Sequence, residues 1–172
     1  MNKFMLGALL LLFSSLSANA TSTTYFSSGL NSEQVSKLPE DGAWRNIVVV
    51  EVDDIKAGDI MIINGQFKAA NDTDQWAELG YKCMLATDPA SLTGTFLNVR
   101  GVQNLNPKTY WIGRSDVHYL VPKCDTSFKA TKDLAKGYIQ FQAYSKTDPA
   151  ETSYTLTIDS GYGIITVTKE RP

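Results

Sequence analysis

Along most of the chain, apolar residues recur at every second position over short runs that Gly, Pro, Asn or Asp interrupt. That spacing predicts half-buried β-strands, and helical periodicity is nearly absent. Between Tyr138 and Tyr144, Ile139, Phe141 and Ala143 face one way, and Tyr138, Gln140, Gln142 and Tyr144 face the other. Tyr154, Leu156 and Ile158 alternate with polar residues in the next run, and Gly161-Tyr162-Gly163 separates them from Ile164 to Thr168, which reads as a hairpin. Upstream, the β-branched run Ile47 to Val52 and the run Ile60 to Phe67 read as central strands, joined by a turn over Asp53 to Asp59. Tyr81 to Ala86, Thr95 to Val99 and Val117 to Val121 bring the count to about eight strands. Short helical turns are expected at Asn31 to Leu38 and at Thr131 to Lys136 before Gly137.

Strands without intervening amphipathic helices argue an all-β, antiparallel two-sheet β-sandwich, because parallel sheets need long crossover connections. A jelly-roll-like topology is the first expectation. An immunoglobulin-like Greek key is the runner-up: it has about seven strands and commonly a core tryptophan between its cysteines, whereas here no tryptophan lies in a clear strand between Cys83 and Cys124.

The start of the chain follows another rule. Lys3, the apolar block Phe4 to Phe13 and the small residues ending Ala18-Asn19-Ala20 match a secretory signal peptide, with cleavage expected after Ala20. The apolar block is about half the ~20 residues that span a bilayer. The expected organisation is therefore a signal peptide over residues 1–20 and one β-sandwich domain over 21–172, secreted or periplasmic, with no membrane anchor. In an oxidising compartment Cys83 and Cys124, the two cysteines of the sequence, are expected to pair as a structural disulfide.

The composition is ordinary for a globular protein, with 43% apolar and 20% charged residues among 172 and a formal charge of −2. An acidic, sparsely charged chain lacks the basic stripe that nucleic acid requires, so no nucleic-acid partner is expected.

Candidate chemistry is thin. His118 is the sole histidine, so a Ser-His or Cys-His mechanism would run through it, and no Gly-x-Ser-x-Gly elbow is present. A strand histidine bonded across the sheet is the plainer reading. Asp53, Asp54 and Asp59 read as turn chemistry. Asp72, Asp74 and Glu78 could hold calcium, the one cofactor the sequence leaves open, but they do not match EF-hand spacing. The segment Asn104 to Arg114 sets Tyr110 beside Trp111 among amide, hydroxyl and guanidinium groups, a mixture suited to stacking on a pyranose and bonding its hydroxyls. Core or edge packing of the two rings is the competing explanation. The polar-aromatic face Tyr138, Gln140, Gln142 and Tyr144 carries no charge, which fits either a subunit contact or cover by a loop or the second sheet.

Three readings follow. The first is a secreted, non-enzymatic binding module, lectin-like, using Asn106, Tyr110, Trp111, Arg114 and Asp116 for a glycan or other polar surface ligand. The second is a self-associating, adhesin-like structural protein that uses the Tyr138 to Tyr144 face. The third is a hydrolase relying on His118 or a carboxylate pair.

Overall fold

The structure is a computed structural model, and it describes residues 20–28, 37–39, 41–71, 77–105, 119–146 and 155–172. Within them lie ten strands: β1 (Thr21–Ser28), β2 (Lys37–Pro39), β3 (Arg45–Ile55), β4 (Ile60–Ala70), β5 (Ala77–Ala86), β6 (Thr95–Leu105), β7 (Tyr119–Leu120), β8 (Lys123–Lys129), β9 (Leu134–Lys146) and β10 (Thr155–Arg171). They form two sheets. One runs β1-β10-β4, with β8 and β7 along the far side of β4 and the short β2 beside the start of β10; the other runs β3-β9-β5-β6.

All pairs are antiparallel, and the longer strands pair in nested order: β1 with β10, β3 with β9, β4 with β8, and β5 with β6. First pairs with last, second with second-last, and so inward. This is the jelly roll, a long hairpin rolled up so that β1, β4, β8 and β10 fall in one sheet and β3, β5, β6 and β9 in the other. An immunoglobulin-like fold pairs its strands in a different order, so the runner-up topology is set aside.

The alternation read from the sequence generates the core. Val48, Val50 and Val52 of β3, Met61, Ile63 and Phe67 of β4, Ile139, Phe141 and Ala143 of β9, and Ile165 and Val167 of β10 are buried between the sheets. Phe67 and Phe141 meet edge to face across the sandwich, with ring centroids 4.8 Å apart, the geometry aromatic quadrupoles prefer. A bulge in β3 between Asn46 and Val48 lets both Ile47 and Val48 point inward, which strict alternation forbids. The Cys83–Cys124 disulfide ties β5 of one sheet to β8 of the other with Cα atoms 6.1 Å apart, as the cysteine pairing predicts.

Three local expectations are corrected. Gly161 to Gly163 does not reverse the chain. β10 continues through it, pairing Thr155 to Thr157 with β2 and Ile164 to Arg171 with β1, while its register on β4 shifts between Asp159 and Ile164. The glycines thus absorb extra residues in a bulge, and the runs on either side extend the same strand. Thr131 to Lys136 is not helical. Gly58 N–H donates to Ala130 O, Ala130 N–H donates to Asp59 O, and Ala57 N–H donates to the Asp133 carboxylate, so this connection is pinned to the β3–β4 turn and β9 begins at Leu134. Gly137 accordingly sits inside a strand rather than capping a helix, where a Cβ would meet the tips of Ile55 and Leu85. Of the first expected helical turn, residues 31–36 lie outside the described residues, and Lys37–Pro39 is a strand with Leu38 fully buried opposite Leu156.

The Asp53 to Asp59 turn is present. Asp59 N–H donates to Lys56 O, and Gly58 takes a φ of 103°, the positive value that the third residue of a type II turn requires. Asp59 closes it by accepting from Lys56 N–H at 2.8 Å.

Candidate interaction face and the covered sheet

Of the two explanations for the uncharged Tyr138 to Tyr144 face, cover by a loop is the one the structure shows. The connection between β5 and β6 folds back over the outer side of β3 and β9. Gln140 Nε2 donates to Asp88 O and Pro89 O, Gln142 Nε2 donates to Gln140 Oε1 at 2.8 Å, and Asn46 Nδ2 donates to Pro89 O at 2.9 Å. Gln140 and Gln142 are both 0% exposed. The missing charge on this face therefore reflects burial beneath a polar loop, where amides serve the loop's carbonyls and a charge would lack compensation. As an exposed contact surface, Gln140 and Gln142 are withdrawn.

Tyr138 and Tyr144, at either end of that row, are half-buried. The Tyr144 ring lies over Gly80, where any Cβ would fall inside the ring, and its hydroxyl donates to Glu78 Oε1 at 2.7 Å. Trp44 meets Tyr144 edge to face at 4.7 Å, and Lys82 Nζ stands 4.1 Å over the indole centroid. Glu78, grouped in the sequence with Asp72 and Asp74, is a strand residue of β5 bonded to Tyr144.

A sparsely charged, partly exposed face is on the other sheet. In β4, Met61, Ile63, Gly65 and Phe67 point to the core, so Ile62, Asn64 and Gln66 point out; in β10, Ile165 and Val167 point in, so Ile164, Thr166 and Thr168 point out. Register aligns them into cross-strand rows: Ser28, Ile164, Gln66 and Lys123; Phe26, Thr166, Asn64 and Asp125; Thr24, Thr168, Ile62 and Ser127. The centre of this grid has no charge, and Lys123 and Asp125 are confined to its β8 border. Phe26, at its β1 border, is 62% exposed, the most exposed large apolar side chain among the described residues. A shallow depression of about 190 Å³ lies over Asn64, Gln66, Ile164 and Thr166. β-branched and amide side chains on a flat pleated surface suit packing against another flat surface.

At one edge of this sheet, charge is concentrated and paired. Arg171 donates from Nε and Nη2 to the two carboxylate oxygens of Asp59, each at 3.0 Å, and also reaches Asp54 Oδ2 at 3.2 Å. Asp59 is 1% exposed, and the guanidinium holds its carboxyl below the usual aspartate range. Lys169 Nζ donates to the carbonyls of Asp53 and Asp54. This cluster locks the C-terminal strand to the β3–β4 turn. The aspartates were legible as turn residues, whereas Arg171 and Lys169, more than a hundred residues away, carried no local signal.

Asn106, Tyr110, Trp111, Arg114, Asp116 and His118 lie outside the described residues, as do Asp72, Asp74 and Trp76. Among the described residues no three His, Cys, Asp or Glu side chains group as a metal site would require, and no helix is long and apolar enough to cross a membrane.

The sequence matches no protein family and no curated protein. Its fold is similar to that of a chain in the structure of infectious bursal disease virus strain Gx, with a TM-score of 0.52 at 9% identity over 88% of this chain. A chain of the VP2 subviral particle of the same virus is similar at a TM-score of 0.43 and 8% identity over 90% of this chain. This chain spans 38% of the length of each. At that identity the likeness is one of fold: the protein is an all-β, antiparallel sandwich of the jelly-roll kind found in a viral structure.

Proposed function

We propose that the protein is a non-enzymatic structural module that self-associates through the outer face of the β1-β10-β4-β8 sheet. The observation that carries this reading is the charge-free centre of that face, half-buried Ile62, Gln66, Ile164, Thr166 and Thr168 around exposed Asn64, which no other described strand or connection covers, bordered by exposed Phe26. The fold it shares with a chain of a virus structure is in keeping with an assembling role. Four strands about 4.8 Å apart and five residues of about 3.3 Å each give a face roughly 19 by 17 Å. That is smaller than the ~800 Å² per partner of a standard interface, so contact through this face alone is weak and concentration-dependent. The Cys83–Cys124 disulfide supports an oxidising compartment, secreted or periplasmic, as the place where the module works.

Sedimentation velocity of the oxidised protein across the micromolar to millimolar range tests the contact, beside Thr166→Glu and Ile62→Lys. Reversible association of the wild type, abolished in both variants at unchanged melting temperature, is expected. A wild type that stays monomeric throughout, or variants that associate equally well, would overturn it.

A further inference from the structure

At the end of the sandwich formed by the β5–β6 and β8–β9 connections, the edge strands β6 and β8 stand apart and leave a cleft of about 260 Å³. Its walls are aliphatic and aromatic. Ile55 and Leu97 are buried at its base, Leu85, Phe128 and Leu134 are half-buried along it, and Phe96 is 46% exposed at its mouth. The polar part of the lining comes from threonine and serine hydroxyls and from Lys129 and Lys132, both exposed.

Several other described lysines are engaged by acceptors. Lys56 pairs with Asp54 and Asp133, Lys68 with Asp159, and Lys136 with Glu51, while Lys169 is held by backbone carbonyls. Lys129 and Lys132 have no carboxylate within ion-pair distance among the described residues. An apolar slot with two uncompensated cations at its rim is complementary to an anion with an apolar tail. We propose that this cleft binds a short- to medium-chain aliphatic carboxylate, its chain between Ile55, Leu85 and Phe128 and its carboxylate toward Lys129 and Lys132. The cleft is smaller than the ~300 Å³ at which drug-sized sites begin, which limits the occupant to one short chain.

Isothermal titration of the full protein with butanoate, hexanoate and octanoate, and with octanol, tests the proposal. Saturable one-to-one binding is expected to tighten about fourfold per added methylene until the slot is full. The double variant Lys129→Glu/Lys132→Glu, on exposed positions, is expected to weaken carboxylate binding about tenfold and leave octanol unchanged, because each rim charge contributes modestly in water. In Gly137→Ala the new methyl would displace the tips of Ile55 and Leu85 toward the open slot, and binding of all chains should fall. Absence of saturable binding, or affinity that follows the lysines but not chain length or Gly137→Ala, would overturn the proposal. Self-association through the opposite surface of the sheet is read separately by sedimentation, so either idea can fail alone.

Discussion

Removing the guanidinium of Arg171 should expose how the last strand is held. Arg171→Met keeps most of the aliphatic stem and leaves the Asp59 carboxylate, 1% exposed, with a single backbone donor from Lys56. Breaking one side of a fully buried ion pair costs about 3–5 kcal/mol. Here the Arg171 side chain is 36% exposed, so water reaches the vacated position and roughly 2 kcal/mol is the working figure. For a chain of this size that corresponds to a fall of about 4–8 °C in Tm. Urea unfolding of the oxidised protein, followed by tryptophan fluorescence, measures it. The double variant Arg171→Met/Asp59→Asn removes the stranded charge and keeps an oxygen for Lys56 N–H, so it should be more stable than Arg171→Met alone, with a coupling above about 1 kcal/mol. The pH dependence has a fixed sign. Arg171 lowers the folded Asp59 pKa below its unfolded value of about 3.9, so the pair's contribution is fully present well above that value and is lost as pH falls through the folded pKa. The stability gap between wild type and Arg171→Met should therefore narrow on acidification below about pH 4. A cost under about 0.5 kcal/mol at neutral pH, or a gap that does not narrow in acid, would refute a buried, charge-assisted clasp.

Two other perturbations probe the sandwich. Cys83→Ala/Cys124→Ala opens a cross-link spanning 41 residues, and chain entropy puts its loss at about 4 kcal/mol, to be read as a lower urea midpoint with an unchanged fold by circular dichroism. Gly80→Ala puts a methyl where the Tyr144 ring lies; displacing that ring breaks its bond to Glu78 and its contact with Trp44, at a cost of about 1–3 kcal/mol and with a changed near-ultraviolet spectrum.

The alternation of apolar and polar residues determined most of the architecture. Because side chains on a strand point to opposite faces in turn, Tyr138 to Tyr144 declared which residues meet a core, and Ile47 to Val52 and Ile60 to Phe67 declared themselves as strands. Absence of helical periodicity then left an antiparallel sandwich, and two cysteines allowed a single cross-link between its sheets. Alternation does not say what lies on the other side of a sheet. Gln140 and Gln142 read equally as an open or a covered polar face, and the chain from Asp88 to Ser91, some fifty residues earlier, lies upon them. Ile62, Asn64 and Thr166 carried no signal of their own, and register between β4 and β10 gathers them into one uncharged surface. Gly161 to Gly163 illustrates the same limit at the scale of a turn: glycine permits a reversal or a bulge equally, and pairing of Ile164 to Arg171 with β1 decided for the bulge. The pairing of Arg171 with Asp59 and the slot between β6 and β8 likewise exist only once distant strands are brought together. Local pattern is a property of a few successive residues and is written in the sequence; cover, register and charge pairing are relations between segments far apart in the chain, and tertiary structure alone brings them into contact.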